Sequence, residues 1–183
     1  MNIEPKSIEE WRDALPDYAR DLKLNLGSVL TPQGAPGLSE SLIASIALAT
    51  AIAARNPQLV RAIETWAEPH LDAAHLQAAR SAAAIMGMNN IYYRFLHLVE
   101  DAEYQTMPAR LRMNVIGNPG IDKLEFELLS LAVSAVNGCG MCVTAHERKL
   151  RDGGIGREAI QSAVRIASVM HAVAGVLEYQ AAA

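Results

Sequence analysis

Signals for the start of a helix recur along the chain, and they constrain the fold more than any other feature of the sequence. Each is a Ser, Asp or Asn that can cap a helix, and several are followed by Glu three residues later or by Pro at the first helical position. They occur at Ser7 with Glu10, at Ser39, at Asn56 with Pro57, at Asp72, and at Asp122 with Glu125. No convincing run of alternating apolar and polar residues, the pattern of a half-buried strand, accompanies them. We therefore predict an all-α fold.

Prolines and glycines supply the matching stop signals. Pro16 closes the first helix, and we expect Gly27 to end a second one and Gly87 to separate two more. The second helix runs from about Asp17 to Leu26, and the stretch Thr31 to Gly37 forms a loop. The helices predicted after this loop are Glu40 to about Arg55, one from Pro57, Asp72 to about Met86, Met88 to Glu100, one that carries Glu127, one that carries the cysteines and stops at Asp152, and Arg157 to about Tyr179.

The composition suits a single helical domain over residues 1–183. The chain is 51% hydrophobic but only 5% aromatic, which favours closely packed helices over a sheet. Its net charge of −4 and isoelectric point of about 5.7 argue against non-specific binding to nucleic acid. No cationic segment followed by an apolar run opens the sequence, so we expect no signal peptide and a cytoplasmic location.

Two apolar segments predict self-association. The stretch Leu42 to Ala54 is shorter than the roughly 20 residues that span a bilayer, so we expect no membrane contact. The helix from Arg157 to Tyr179 is apolar on most sides and should lie in the core or at an interface. From both segments we expect an oligomer rather than a monomer.

The sequence also contains a weak internal repeat, roughly residues 38–100 and 122–180. The segment that begins at Glu40 resembles the one that begins at Glu127, and Met86 corresponds to Met170. In this alignment the first copy has Ile52 where the second has Cys139, so only the second copy contains the cysteines. We expect two similar helical halves that pack on one another.

The stretch from Glu127 to His146 holds the residues with the clearest chemistry. It contains the only two cysteines, Cys139 and Cys142, and Asn137-Gly138 just before them is typical of a helix end. On the helix that follows, Cys139, Cys142 and His146 fall on one face, since their spacings are three and four residues. A helix start stabilises a thiolate, a second thiol one turn away can form a disulfide, and His146 can move a proton. Glu127 can orient that histidine if its helix folds back.

Simpler interpretations of these residues remain open at this stage. The cysteines can be ordinary core residues, or half of a zinc site with His146, although structural zinc usually takes four ligands. His146 can be a surface histidine. Glu127 begins a polar stripe at helical spacing with Ser130, Ser134 and Asn137, and such stripes are most often solvated. His70, His75, His97 and His171 are interpreted as ordinary helix residues, and Met86, Met88 and Met170 as core residues.

Several motifs identify a family resemblance over nearly the whole length. They are Leu15-Pro16-Asp17-Tyr18-Ala19, Lys23-Leu24-Asn25-Leu26, Ala83-Ala84-Ile85-Met86-Gly87-Met88-Asn89-Asn90, Leu111-Arg112-Met113-Asn114, Asn118-Pro119-Gly120-Ile121, and above all Glu127 with Cys139, Cys142 and His146. Together they resemble the alkyl hydroperoxide reductase D (AhpD) family of the carboxymuconolactone decarboxylase superfamily. The resemblance implies an all-helical fold, commonly a homotrimer, and reduction of organic hydroperoxides without a bound cofactor or metal.

The resemblance also implies a role for each site residue. Cys142 would attack the peroxide and pass through a sulfenic acid, and Cys139 would resolve it as a Cys139–Cys142 disulfide. Cys139 would then exchange with dihydrolipoamide, carried by a lipoylated acyltransferase subunit, and would meet an AhpC-type peroxiredoxin partner. His146 and Glu127 match the positions that form the proton relay in this family. The opposite order, in which the first cysteine attacks, is the thioredoxin-like alternative.

One position departs from the family pattern. Close relatives can have His between the two cysteines, where this chain has Met141, and methionine cannot transfer protons. Water or His146 would then have to carry the proton to Cys142. Two hypotheses follow: an antioxidant enzyme that turns over peroxide itself, or a redox adaptor that passes electrons from a lipoylated subunit to a peroxiredoxin. The family's decarboxylase chemistry needs no cysteine pair, and the pair in this chain argues against it.

Overall fold

Helices account for all the regular secondary structure in residues 7–182, the part of the chain that the computed structural model describes. The α-helices are α1 Ile8–Ala14, α2 Arg20–Val29, α3 Glu40–Ala54, α4 Pro57–Ala67, α5 Ala73–Val99, α6 Ala102–Thr106, α7 Asn114–Gly117, α8 Lys123–Val136, α9 Gly140–Asp152 and α10 Arg157–Ala182. Turns of 3-10 helix at Asp17–Ala19 and Glu68–His70 precede α2 and follow α4. Since these residues contain no strand, the all-α prediction is confirmed.

The predicted capping residues begin the helices. The side chains of Ser7, Ser39 and Asn56 each accept a hydrogen bond from the backbone N–H three residues on. Asp72 and Asp122 cap α5 and α8 in the same way. Each cap satisfies a donor that the first turn of a helix leaves without a partner, and contributes about 1 kcal/mol. Helix starts marked by these capping residues are therefore where the sequence predicted them.

Gly27 and Gly87 lie inside helices, so the prediction that they end helices was wrong. Gly27 is within α2, which continues to Val29, and Gly87 is near the middle of α5, which is continuous. Glycine costs a helix interior only about 1 kcal/mol relative to alanine, and tertiary packing offsets that cost. No proline lies within the three residues after either glycine to enforce a break there.

The centre of the molecule consists of α3, α8 and α10, and α5 packs across α3 and α8. Their buried Leu, Ile, Val and Ala side chains belong to one hydrophobic cluster. The cysteine helix, α9, packs against α8 and α5. The site is therefore held between two helices that are themselves anchored in the core.

The apolar surfaces of α3 and α10 are occupied within the chain. In residues 7–182, α10 is the one helix long and apolar enough to cross a membrane, but 56% of its most apolar window is buried and it packs on α2, α3 and α8. Residues 42 to 51 of α3 are all buried. Most of α3 and about half of the apolar window of α10 are thus covered within the chain, and self-association through these segments stays a prediction.

Exposed apolar side chains lie elsewhere, on the second half of α5 and on α6. Ile91, Phe95 and Leu98 on α5 are exposed, as is Tyr104 on α6. The rings of Phe95 and Tyr104 meet edge to face with their centroids 5.2 Å apart. The described part of the chain leaves this apolar surface uncovered.

The order of helices bears on the predicted repeat. The run α3–α4–α5 and the run α8–α9–α10 have similar helix lengths in the same order. Their N-caps pair Ser39 with Asp122 and Asn56 with Cys139. The alignment that pairs Glu40 with Glu127 differs from this pairing by about one helical turn. The repeat itself stays a prediction.

Candidate active site

The break between α8 and α9 positions the two cysteines. Asn137 caps α8, and Gly138 has a φ of +69°, a left-handed conformation that favours glycine. The backbone N–H of Gly138 donates to the Ala135 carbonyl at 3.2 Å, and that of Cys139 donates to the Ser134 carbonyl at 3.1 Å. This is the Schellman pattern of a helix end. It turns the chain so that Cys139 becomes the first residue of the next helical segment.

Cys139 is the N-cap of α9. Its Sγ accepts a hydrogen bond from the backbone N–H of Cys142 at 3.3 Å, in the place where Ser or Asp usually stands. The structure joins Cys139 and Cys142 as a disulfide, with their Cα atoms 5.3 Å apart. The sulfur of Cys139 thus lies where a helix start favours negative charge.

The two cysteines are both buried in the disulfide form and differ slightly in accessibility. We expected Cys139, nearer the helix start, to be the one that a large reductant reaches. Cys139 is 0% exposed and Cys142 is 6% exposed. The tight turn folds Cys139 under the exposed glycines on either side, Gly138 and Gly140, and which sulfur a reductant reaches stays a prediction.

Cys142 lines a cavity of about 270 Å³ between α5, α7 and α9. The lining residues are Met86, Asn89, Tyr93, Met113, Ile116, Met141, Cys142, Ala145 and His146. Most of this wall is apolar, and Cys139 is not part of it. This volume lies just below the range of about 300 to 1,000 Å³ that is usual for small-molecule sites. Cys142 is therefore the one of the two cysteines that borders this cavity.

Glu127 and His146 meet as the sequence suggested. His146 Nδ1 lies 2.7 Å from Glu127 Oε2, and Lys149 Nζ donates to Glu127 Oε1. A carboxylate can only accept, so Nδ1 carries the hydrogen, and Nε2 of a neutral ring is left as an acceptor. This arrangement fixes the orientation of a histidine that shares the cavity with Cys142.

Glu127 is a buried carboxylate. It is only 3% exposed, and Ser130 and Ser134 on the same stripe are also buried, so the interpretation of this stripe as a solvated face was wrong. Burial by itself would raise the pKa of Glu127. The hydrogen bonds from His146 and Lys149, together with their charges, more than offset burial and lower that pKa below its ordinary value.

A buried polar network lies beneath the cysteine turn. Asn90 Nδ2 donates to Ser134 Oγ at 2.8 Å, and Asn90 Oδ1 accepts from Asn137 Nδ2 at 2.9 Å. Arg94 donates to the Asn137 carbonyl at 2.8 Å. Both Asn90 and Arg94 are on α5, so this network ties the end of α8 to α5 and supports the turn that carries Cys139.

Sequence reasoning missed Lys149, Asn89 and the network on α5. Lys149 was detectable in principle, because it follows His146 by three residues on the same helix face. Asn89 and Asn90 were not, since Asn90 bonds to residues distant in sequence and Asn89 Oδ1 has no partner in the described part of the chain. No group of three or more His, Cys, Asp or Glu in residues 7–182 is arranged to hold a metal ion.

His75 makes contacts between helices. His75 Nδ1 lies 2.9 Å from Asp72 Oδ1, and His75 Nε2 lies 3.3 Å from Glu125 Oε2, which links the starts of α5 and α8. Partial burial opposes the charged ring, but the bonds to the two carboxylates raise the pKa of His75 above its ordinary value. None of these contacts reaches the cavity.

Comparison with known proteins found similar sequences over most of this chain. Residues 102–183 match the carboxymuconolactone decarboxylase family. Alkyl hydroperoxide reductase AhpD of Rhodospirillum centenum is 58% identical over 176 residues, which cover 96% of this chain and 93% of the relative. The proteins of the same name from Gluconacetobacter diazotrophicus and Coxiella burnetii are 56% and 54% identical, over 96% and 92% of this chain and 95% and 96% of the relatives.

The fold and the site define the class: all-helical proteins with a Cys-x-x-Cys pair at the start of a helix. Within that class, the chain belongs to the AhpD family of alkyl hydroperoxide reductases. The resemblance stated from the motifs is thereby confirmed.

Proposed function

We propose that this protein reduces organic hydroperoxides through a dithiol–disulfide cycle of Cys142 and Cys139, with dihydrolipoamide as the electron donor. The observation that carries the proposal is the apolar cavity at Cys142. In this proposal, peroxide reaches the sulfur of Cys142 through the cavity. The sulfur of Cys139 does not line the cavity, but it is close enough to the sulfur of Cys142 to form a disulfide with it.

The first half of the cycle oxidises the protein. The thiolate of Cys142 attacks the terminal oxygen of the hydroperoxide, so that an S–O bond forms and the O–O bond breaks. The alkoxide takes a proton and leaves as the alcohol, and Cys142 becomes a sulfenic acid. The sulfur of Cys139 then attacks the sulfenic sulfur, which forms the disulfide and releases water.

His146 and Glu127 are proposed to handle the protons of this step. His146 shares the cavity with Cys142, and its bond to Glu127 leaves Nε2 to exchange a proton there. The buried carboxylate stabilises the ring when it holds a second proton, as in other carboxylate–histidine pairs. Met141 lines the same cavity and cannot take part, so His146 carries the proton to the departing alkoxide, directly or through water.

The second half of the cycle restores the thiols. A dihydrolipoamide thiolate attacks the disulfide and forms a mixed disulfide, and its second thiol displaces the protein sulfur as lipoamide closes its ring. We propose Cys139 as the exchanging sulfur. Because Cys139 is buried, exchange requires the turn between Gly138 and Gly140 to open, and the exposure of both glycines favours such an opening. A lipoylated acyltransferase subunit would supply the dithiol.

The wider proposal is a cytoplasmic homotrimer that works with an AhpC-type peroxiredoxin. The exposed apolar surface of α5 and α6 supports contact between copies.

The competing function is a redox adaptor that delivers electrons to the peroxiredoxin and has little peroxidase activity. Met141 favours that alternative, because the position between the cysteines holds no proton carrier.

A turnover assay with dihydrolipoamide tests the proposal. Purified protein should consume cumene hydroperoxide without any peroxiredoxin, and both Cys139→Ser and Cys142→Ser should abolish turnover. If hydroperoxide is consumed only after a peroxiredoxin is added, while the disulfide still exchanges with dihydrolipoamide, the adaptor function is correct and the enzyme proposal is wrong. Failure of dihydrolipoamide to reduce the disulfide would refute the choice of donor.

A further inference from the structure

Asn89 is a buried amide whose hydrogen-bonding capacity the chain does not use. The residue is 4% exposed and lines the cavity with Cys142. Its Oδ1 has no hydrogen-bond partner among the residues that the structure describes, and it is the one buried side-chain oxygen or nitrogen there in that condition. An unpaired buried carbonyl lowers stability, so folding alone does not explain an asparagine at this position.

The next residue provides a direct comparison. Asn90 is also buried on the same helix, but its amide is bonded at both ends, to Ser134 and to Asn137. Asn90 therefore has a structural role that Asn89 lacks. Since no bond restrains the amide of Asn89, it can turn about its last torsion and offer either a carbonyl acceptor or an N–H donor to a molecule in the cavity.

The other walls of the cavity restrict what that molecule can be. Apart from Cys142 and His146, the neighbours of Asn89 are mainly Met, Ile, Tyr and Ala side chains, which favour an apolar molecule with few polar groups. An alkyl hydroperoxide meets this description. Its hydrocarbon part matches the apolar wall, and its terminal O–H is a donor that matches the unpaired carbonyl.

We propose that Asn89 is the residue that binds the peroxide group of the substrate and directs its terminal oxygen to Cys142. This inference rests on the proposed function. In it, Oδ1 accepts the terminal O–H while the thiolate attacks the same oxygen. That hydrogen stays on the oxygen as the O–O bond breaks and the S–O bond forms, so the bond from Asn89 persists into the sulfenic acid. The proton for the alkoxide comes separately, through His146.

The test separates the two halves of the cycle. Reduced wild type, Asn89→Leu and Asn89→Ala are mixed with cumene hydroperoxide in single-turnover experiments, and remaining thiols are counted by mass spectrometry. The second-order oxidation rate should fall about tenfold or more in both variants, as for loss of a hydrogen bond to the reacting group. The rate at which dihydrolipoamide reduces the disulfide should stay within about twofold of wild type. Asn25→Ala, the same change at an exposed asparagine of α2 outside the cavity, should oxidise at the wild-type rate.

Stability distinguishes a substrate-binding role from a structural one. Asn89→Leu should melt at or above the wild-type temperature, because it removes an unpaired polar group, whereas Asn90→Leu should melt lower. A normal oxidation rate in both Asn89 variants would overturn the inference, as would an equal loss in both half-reactions or a lowered melting temperature in both. If wild type itself is not oxidised at Cys142 by the hydroperoxide, the proposed function fails instead, and that result is visible before any variant is compared.

Discussion

Replacement of Glu127 by glutamine tests whether the buried carboxylate is held in its charged form by its two cationic partners. The change keeps the shape and leaves an oxygen that can still accept from His146. A neutral acceptor forms a bond about half as strong as a charge-assisted one, so this contact should lose about 1 kcal/mol. The Lys149 side chain is 56% exposed, so its ion pair adds only about 0.5 kcal/mol. We expect Glu127→Gln to lower the free energy of unfolding by roughly 1 to 1.5 kcal/mol.

The pH dependence of this difference is equally specific. Because the pKa of Glu127 in the folded protein is below its ordinary value of 4.5, the carboxylate stabilises the fold fully above that value. The contribution is lost as the pH falls through the lowered folded pKa. The stability gap between wild type and Glu127→Gln should therefore be present at neutral pH and should close in acid.

Guanidinium chloride unfolding of the oxidised proteins measures this gap, provided that the slope with denaturant is unchanged. Glu147→Gln is a matched control, since Glu147 lies beside His146 in sequence and has no ion-pair partner in the described part of the chain. It should change stability by less than about 0.5 kcal/mol. A Glu127→Gln protein as stable as wild type at pH 7, or a gap that is the same at pH 7 and at about pH 3, would refute the argument.

Two further predictions concern the cysteine turn and the proton path. Gly138→Ala should cost about 1 to 2 kcal/mol in chemical denaturation, because a side chain is strained at its positive φ. Gly140→Ala, where a Cβ meets nothing within 4 Å, should be nearly neutral, and equal losses in the two variants would contradict this. In stopped-flow oxidation by hydroperoxide, His146→Ala should react at least tenfold more slowly than wild type and Met141→His should react faster. If Met141→His changes nothing while His146→Ala abolishes the reaction, the proton path runs through His146 alone.

Helix starts and the spacing of residues on a helix face were predictable, because both depend on residues that are neighbours in sequence. A capping side chain and the helix it starts are neighbours in sequence, so Asp122 fixed the start of α8 correctly. The same holds for the spacing that puts Cys142 and His146 on one face of α9. The contact between Glu127 and His146 followed from the turn at Gly138, which folds α9 back along α8.

The rest depends on contacts that sequence spacing does not encode. A polar stripe looks the same whether it faces solvent or a neighbouring helix, and only the packing of α5 and α9 against α8 buries Glu127 and Ser134. Whether Gly87 breaks a helix is decided by the tertiary packing of the turns around it. The role proposed for Asn89 was not predictable from sequence spacing, because its partner would be a bound molecule and not another residue of the chain.

The central claim is that Cys142 is the sulfur oxidised by peroxide, and trapping its sulfenic acid tests that claim most directly. Cys139→Ser lacks the resolving thiol, so brief treatment with cumene hydroperoxide followed by a sulfenic-acid-specific label should place the label on Cys142, as identified by peptide mass spectrometry. Cys142→Ser, treated in parallel, should take up little label and should still form mixed disulfides through Cys139. Label on Cys139 in Cys142→Ser, together with none on Cys142 in Cys139→Ser, would contradict the account and assign the attack to the first cysteine.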